Sequence, residues 1–455
     1  MSGVKAPAPA STADPESVRP RRSPLPALVA AWVITRAVML VLLARDGSHP
    51  LGVGGVAREV YELYFRWYGV LADGGFPLDD PLWQYPPAAG PVILAPGLVP
   101  GASYFQAFVA MTLIADAVVV LLLVRAGRRP GRSLRGALLW TCSLPLLLHI
   151  PLARYDVQVT AFAVAALLAL PTAAGRTSPV KADSAKTSST RAWSAIAGAC
   201  AAAGAVIKVW PALVLLGTPP GRITRTAWTA AAATAAGLLL LLAALFTHPF
   251  DFLSQQGDRG VQIESLGGTV LSLARQAGWP GEMRYQYGSV EFVGPYVPTV
   301  AATCLVLTVL ACVALVGRRI RAVRSGRWTT ATPYDAALCA VLLFTVTSRV
   351  ISPQYLIWLL GLAAVCLTSR ATTQRPVAAV LAAAAAVSTL AYPTLYEDVM
   401  TGTWTGCLVM LVRNGLLVTA AVLSWKGLWS STTKLPGNRE TGANRENRSK
   451  AKIHS

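Results

Sequence analysis

The chain has 455 residues and a formal charge of +19, from 40 Lys and Arg against 21 Asp and Glu. Only 13% of its residues are charged and 54% are hydrophobic, with a mean hydropathy of +0.50, whereas soluble domains carry roughly a quarter charged residues. This composition excludes an ordinary soluble enzyme. The basic residues also come in short clusters between apolar runs, which argues against a nucleic-acid surface and for a multi-pass membrane protein oriented by its charges.

Residues 1–24 have a disordered composition, and no cleavage site follows the first apolar run, which therefore reads as a retained anchor. Apolar segments then occur at 25–44, 104–124, 136–150, 157–171, 192–207, 209–220, 227–247, 296–317, 335–348, 354–368, 376–392 and 404–424. Several fall short of the ~20 residues a span needs and predict tilted, broken or re-entrant helices. The stretch 192–220 also fits one long helix, but that threading would put Arg318 to Arg327 on the opposite side from the other basic clusters. A break near Lys208–Pro211 keeps all the clusters together. The expectation is thus an all-α polytopic domain over 25–425 with about twelve segments, both termini cytoplasmic, and a basic cytoplasmic tail over 426–455. Its two long external loops span about 45–103 and 248–295, and long ordered loops tend to carry function. On this threading Asp46, Glu59, Asp79, Asp80, Asp156, Asp258, Glu264 and Asp398 all face outside with most of the other acids, as a polar site on that face would require.

The first loop contains "REVYELYFRWYGVLADGG", in which Tyr61, Tyr64, Phe65 and Tyr68 recur at helical spacing, Glu62 and Arg66 are four apart, and Gly74 and Gly75 end the pattern. It predicts an amphipathic helix at the membrane surface, either sealing the bundle or holding Glu59 at the lip of a cavity. "FPLDDPLWQYPP" follows, a proline-turned segment carrying Asp79, Asp80, Trp83 and Tyr85. "ARYD" places Arg154 beside Asp156, a pair able simply to neutralise itself, and Lys208 sits in an apolar stretch, where an ammonium must snorkel or meet an anion. In the second loop Arg259, Gln262 and Glu264 offer a guanidinium, an amide and a carboxylate suited to phosphate and sugar hydroxyls. "SRVISPQYLIW" sets Arg349, Gln354, Tyr355 and Trp358 where a span re-enters. The seven cysteines form no CxxC pair and read as small apolar residues, and His49, His149 and His248 are too scattered to predict a metal site.

The ordered set "VYELYFRWYGVLADGGFPLDDPLWQYPP", "ARYD", "IKVWP", "RGVQIESL" and "SRVISPQYLIWLLG" resembles membrane glycosyltransferase family 87, the polyprenyl-phosphate-mannose-dependent mannosyltransferases of the GT-C fold. The resemblance implies a GT-C-type bundle in the plasma membrane. Its site would lie on the external face and move a sugar, mannose by the family pattern, from a polyprenyl-phosphate donor to a glycolipid or glycan acceptor with inversion. The family's base is an acid before a "vY" pair, which here is Glu59, with Asp79, Asp80 and Asp156 as rivals. Arg259, Lys208 and Arg349 would neutralise the departing phosphate; Trp83, Tyr85, Asp156, Gln262, Glu264, Gln354 and Tyr355 would contact sugar or acceptor. No cofactor and no metal are implied, and the partners are membrane lipids, not nucleic acid. A transporter or flippase, or an inactive glycosyltransferase-like scaffold, are the alternatives; transporters usually show repeats and matched halves, and this chain shows neither.

Overall fold

The computed structural model describes residues 24–48, 55–77, 80–170, 184–250 and 259–433. Asp79, His49, Asp251, Asp258 and the tail from 434 onward lie outside them. The chain is a helical bundle. Its helices are α1 (Leu25–Ala44), α2 (Phe65–Ala72), α3 (Ala89–Leu94), α4 (Tyr104–Gly127), α5 (Arg135–Ser143), α6 (Asp156–Ala169), α7 (Ser184–Ile207), α8 (Arg222–Leu245), α9 (Leu266–Gln276), α10 (Val297–Arg324), α11 (Thr332–Thr347), α12 (Tyr355–Leu367), α13 (Arg375–Thr389), α14 (Tyr396–Thr401) and α15 (Trp404–Thr433).

Each of the twelve expected segments coincides with helix. Among the described residues seven helices are long and apolar enough to cross a membrane: α1, α4, α7, α8, α10, α13 with its extension to Thr394, and α15. The other five are shorter, and one of them, Trp210–Gly217, is a 3₁₀ helix, whose steeper rise covers more distance per residue. Short helices are tolerable here because protein surrounds them. α12 is buried from Leu356 to Cys366, apolar on every side, between α5, α6, α11 and α13. By contrast α1, α8 and α10 expose rows of Val, Leu and Ile, as a lipid-facing surface requires.

The break at Lys208 decides the direction of everything after it. α7 ends at Ile207, Pro211 opens the 3₁₀ turn, and α8 packs along α7. The C-terminal ends of both helices meet the first loop, through Val206 carbonyl to Ala88 N–H and Thr247 N–H to Gly74 carbonyl. The two helices therefore run parallel, and the chain doubles back between them. The far end of that return is fixed by Arg319 of α10, which donates to the carbonyls of Leu216 and Thr218.

Two faces result. One gathers the turns with most of the basic residues, where Ser133 N–H bonds Thr368 carbonyl and Asp335 accepts from Thr372 and Thr373. The other gathers the first loop, the start of α6, the end of α7, residues 259–296 and the start of α12. It also carries a three-stranded antiparallel sheet ordered β1 (Val261–Gln262), β3 (Ser289–Val293), β2 (Glu282–Gln286). The β2–β3 hairpin turns on Tyr287 and Gly288, both with positive φ, the geometry of a two-residue turn that matches strand twist.

Candidate active site

The first loop differs from the expected surface helix in register. It begins as a π-helical turn, Glu59–Tyr64, and continues into α2, so the buried stripe is Val60, Tyr64, Trp67 and Leu71. Tyr61 and Phe65, on the aromatic stripe of the expected helix, are 47% and 51% exposed. The wide first turn rotates the following residues, and the acidic pairings change with it. Glu62 pairs with Arg58, and Arg66 reaches Asp80 at 2.5 Å. Gly74, at φ +83°, ends the helix as its position suggests.

This register puts Glu59 against Arg154. The guanidinium Nη2 lies 2.6 Å from Glu59 Oε2, while Tyr64 O–H donates to Oε1 at 3.0 Å. Arg154 Nη1 also donates to the carbonyls of Val56 and Ala153. The expected Arg154–Asp156 neutralisation does not occur, because Arg154 ends a 3₁₀ turn in extended conformation and Asp156 opens α6. Asp156 Oδ1 instead meets Lys208 Nζ at 2.6 Å and Trp358 Nε1 at 2.6 Å, with its side chain only 1% exposed. Lys208 is ringed by aromatic faces, 4.7 Å from the centroid of Tyr155, 5.3 Å from Trp358 and 6.0 Å from Tyr85. Trp358 is in turn stacked between Tyr355 at 4.0 Å and Trp210 at 5.1 Å.

Tyr85 joins the two ion pairs. Burial pushes its hydroxyl well above the ordinary range, and the charges of Glu59, Arg154 and Asp156 all act on it. Trp83, expected to stack on sugar, is 1% exposed; it packs edge-on to Trp67 and beside Phe76, inside the loop's own core. Asp80 ties the same loop, accepting from Arg66, from Trp67 Nε1 at 2.8 Å and from Leu82 N–H at 3.0 Å. Asp46 has a similar anchoring task. It accepts from the N–H groups of Val56 and Ala57 and meets His149 Nε2 at 2.7 Å. Burial works against its carboxylate, but these bonds outweigh burial and hold it below the usual range.

The second loop supplies the far wall. Glu291 of β3 is fully buried and holds Arg259 Nε at 3.1 Å and Gly260 N–H at 2.8 Å, while Ser289 Oγ accepts from Arg259 Nη2. Glu291 was not singled out from the sequence; the alternation in "SVEFV" and the strand register opposite Gln262 are the signals that place it. Arg349 donates to the Arg259 backbone carbonyl at 2.8 Å, and burial together with the Arg259 charge lowers the Arg349 pKa. Gln262 spans the strand and the α12 entry, its Oε1 accepting from Ile351 N–H and its Nε2 donating to Glu264 Oε2. Glu264 is buried beneath it beside Arg413, which donates to the Glu264 backbone carbonyl. Tyr355, at the start of α12, stacks on Trp358 and so joins this wall to the Lys208 cluster. Gln354 caps α12 one residue earlier, half-buried. Among the described residues no group of three or more His, Cys, Asp or Glu is placed to hold a metal.

One end of the bundle thus presents a partly exposed, arginine-bound carboxylate, a lysine set among aromatic rings, and two arginines joined by a side-chain-to-backbone hydrogen bond. Chemically this arrangement can take a proton and accommodate an anion. The solved structures similar to this chain include ArnT from Cupriavidus metallidurans in the apo state, at 14% identity and a TM-score of 0.46, covering 94% of this chain and 80% of that one. They also include the same protein bound to undecaprenyl phosphate, at 12% identity and 0.44, with the same coverage. No curated protein matches the sequence. The family model for "Glycosyltransferase family 87" matches residues 83–329, more than half of the chain. That span holds Arg154, Asp156, Lys208, Arg259 and Glu264; Glu59 precedes it and Arg349 follows it. The chain belongs to glycosyltransferase family 87.

Proposed function

We propose that this membrane glycosyltransferase moves a sugar, mannose in the first instance, from a polyprenyl-phosphate donor to a hydroxyl of a glycolipid or glycan on the external face of the plasma membrane, with inversion. The observation that carries the reading is the contrast between its acids. Asp46, Asp156 and Glu291 have side chains exposed by 9% or less and Asp80 accepts from three donors, whereas Glu59, held by Arg154 and Tyr64, keeps a quarter of its side chain exposed. A carboxylate accepts at about four lone-pair positions, so Glu59 bound to Arg154 and Tyr64 retains capacity for an acceptor hydroxyl.

The acceptor oxygen attacks the anomeric carbon from the side opposite the phosphate as Glu59 takes its proton. The C–O bond to phosphate breaks, and polyprenyl phosphate leaves with the electron pair. General-base assistance of this kind is worth ~10²–10⁴-fold. Lys208, Arg259 and Arg349 neutralise the leaving phosphate; Asp156 and Glu291 hold Lys208 and Arg259 in place for that task. Tyr85, Gln262, Glu264, Gln354 and Tyr355 line the approach. Asp156 is thereby moved from rival base to positioning residue, and Trp83 and Asp80 to scaffolding of the loop. Membranes containing the chain should transfer label from polyprenyl-phosphate-[¹⁴C]mannose to lipid or polymer, with undecorated membranes as the blank. Equal label in both would refute the donor.

A further inference from the structure

The face opposite the candidate site carries a second polar enclosure. Near the end of α10, Arg318 is 6% exposed. Its Nη2 donates to the Leu428 carbonyl and to Thr432 Oγ1 of α15, and its guanidinium carbon lies 5.4 and 5.0 Å from the ring centroids of Trp425 and Trp429. Its Nε is buried with no hydrogen-bond partner. The next residue, Arg319, donates to the Leu216 and Thr218 carbonyls at 2.6 and 2.8 Å and to Thr224 Oγ1 at 2.9 Å, and lies 5.5 Å from the Trp328 ring. The Trp328 indole N–H is likewise buried without a partner. Neither guanidinium meets a carboxylate among the described residues.

Leu216, Leu315, Arg318, Arg319, Trp328 and Thr432 border a common cavity of about 20 Å³, room for one oxygen-sized group. Removing a cation from water is costly unless a counter-charge replaces the lost solvation. Carbonyls and ring faces offset part of that cost for each arginine, but they leave two positive charges beside one opening, and two buried N–H groups on residues that line it. We infer that this is an anion site that takes a phosphate, supplied by an anionic phospholipid headgroup or free in solution. One phosphate oxygen enters the cavity, a small rotation of the Arg318 and Trp328 side chains turns their Nε–H and Nε1–H groups onto it, and the rest of the group stays at the mouth, beside Arg321 over the Trp429 ring. The apolar residues Leu216 and Leu315 on the rim suit an acyl-bearing ligand, and basic pockets between membrane helices are known receptors for such headgroups.

The test uses thermal unfolding of the purified full chain in neutral detergent, titrated with phosphatidylglycerol, phosphatidylcholine or inorganic phosphate. Phosphatidylglycerol should raise the midpoint and phosphatidylcholine should not. Inorganic phosphate producing the whole shift would assign the site to the free anion, and only a partial shift assigns it to the lipid. Trp328→Phe keeps a ring against Arg319 but removes the N–H, and should weaken the phosphatidylglycerol response about tenfold in concentration, the worth of one hydrogen bond to a charged group. Arg318→Gln should abolish it. Because Arg318 anchors α15, Trp328→Phe is the decisive variant, with Trp404→Phe on the opposite face as the control. Equal responses to the two lipids, an unchanged response in Trp328→Phe, or an equal loss in Trp404→Phe would each overturn the assignment.

Discussion

Glu264 has fewer partners than the other acids of the site face. Its Oε2 accepts from Gln262, but its Oε1 is buried without a partner, and Arg413 spends a donor on the Glu264 backbone rather than on the carboxylate. Burial raises its pKa from the ordinary 4.5 to about 7, against a smaller opposing pull from the Arg413 charge. The folded chain therefore holds a proton that the unfolded chain has already lost between those two values. Stability from this group is fully present below about 4.5 and falls as the pH rises to about 7. The thermal midpoint should accordingly fall more steeply across that window in the wild type than in Glu264→Gln; equal slopes would contradict the assignment. The sequence marked Lys208 because a charge in an apolar stretch stands out, Asp156 because it lies beside Arg154, and Arg259 and Glu264 because their groups suit phosphate and sugar hydroxyls. It did not reveal their partners. Arg154 and Asp156, two apart in sequence, serve different ion pairs, since an extended residue followed by a helix start points them in different directions.

Among the helices, one contact holds three together within the membrane. Arg36 of α1 makes a two-pronged contact with Asp116 of α4, at 2.8 and 2.7 Å, and donates to the Thr141 carbonyl of α5. The indole N–H groups of Trp32 and Trp140 complete the carboxylate's shell. Every polar partner is satisfied and both charges are buried, so removing one leaves the other uncompensated at a cost of about 3–5 kcal/mol. Arg36→Met or Asp116→Leu alone should lower the unfolding midpoint strongly. The double variant should recover much of the loss, and a simple sum of the two losses would deny that they act as a pair. Elements were legible where apolar runs were long and poorly legible where backbone geometry intervened. The α2 periodicity in Tyr and Phe was real, yet the π turn at Glu59–Tyr64 shifted the packed stripe onto Val60, Tyr64, Trp67 and Leu71. The β2–β3 hairpin was missed because its strands are short and lie between helices, although it supplies Glu291.

For the molecule as a whole, the parallel course of α7 and α8 keeps the residues of the candidate site at one end and the Arg318–Arg319 enclosure at the other. The basic clusters made this separation of the two ends legible, because they were expected to gather on one face of the bundle. The number of crossings was not, because helices buried inside protein need not be as long as a bilayer is thick. With native cysteines replaced, Tyr285→Cys in β2 should react with a membrane-impermeant maleimide in intact cells. Arg129→Cys and Ser325→Cys should react only after permeabilisation; their labelling in intact cells would invert the proposed orientation.

Transfer rests, in the proposed mechanism, on Glu59 taking the acceptor proton. Transfer from a polyprenyl-phosphate sugar, measured in one preparation of wild type, Glu59→Gln and Glu59→Asp at matched levels of folded protein, tests it most directly. Activity should fall by about 10²-fold or more for Gln, which keeps size and hydrogen bonding but not basicity, and should persist in part for Asp, which keeps the carboxylate with a shorter reach. Near-normal transfer by Glu59→Gln would contradict it.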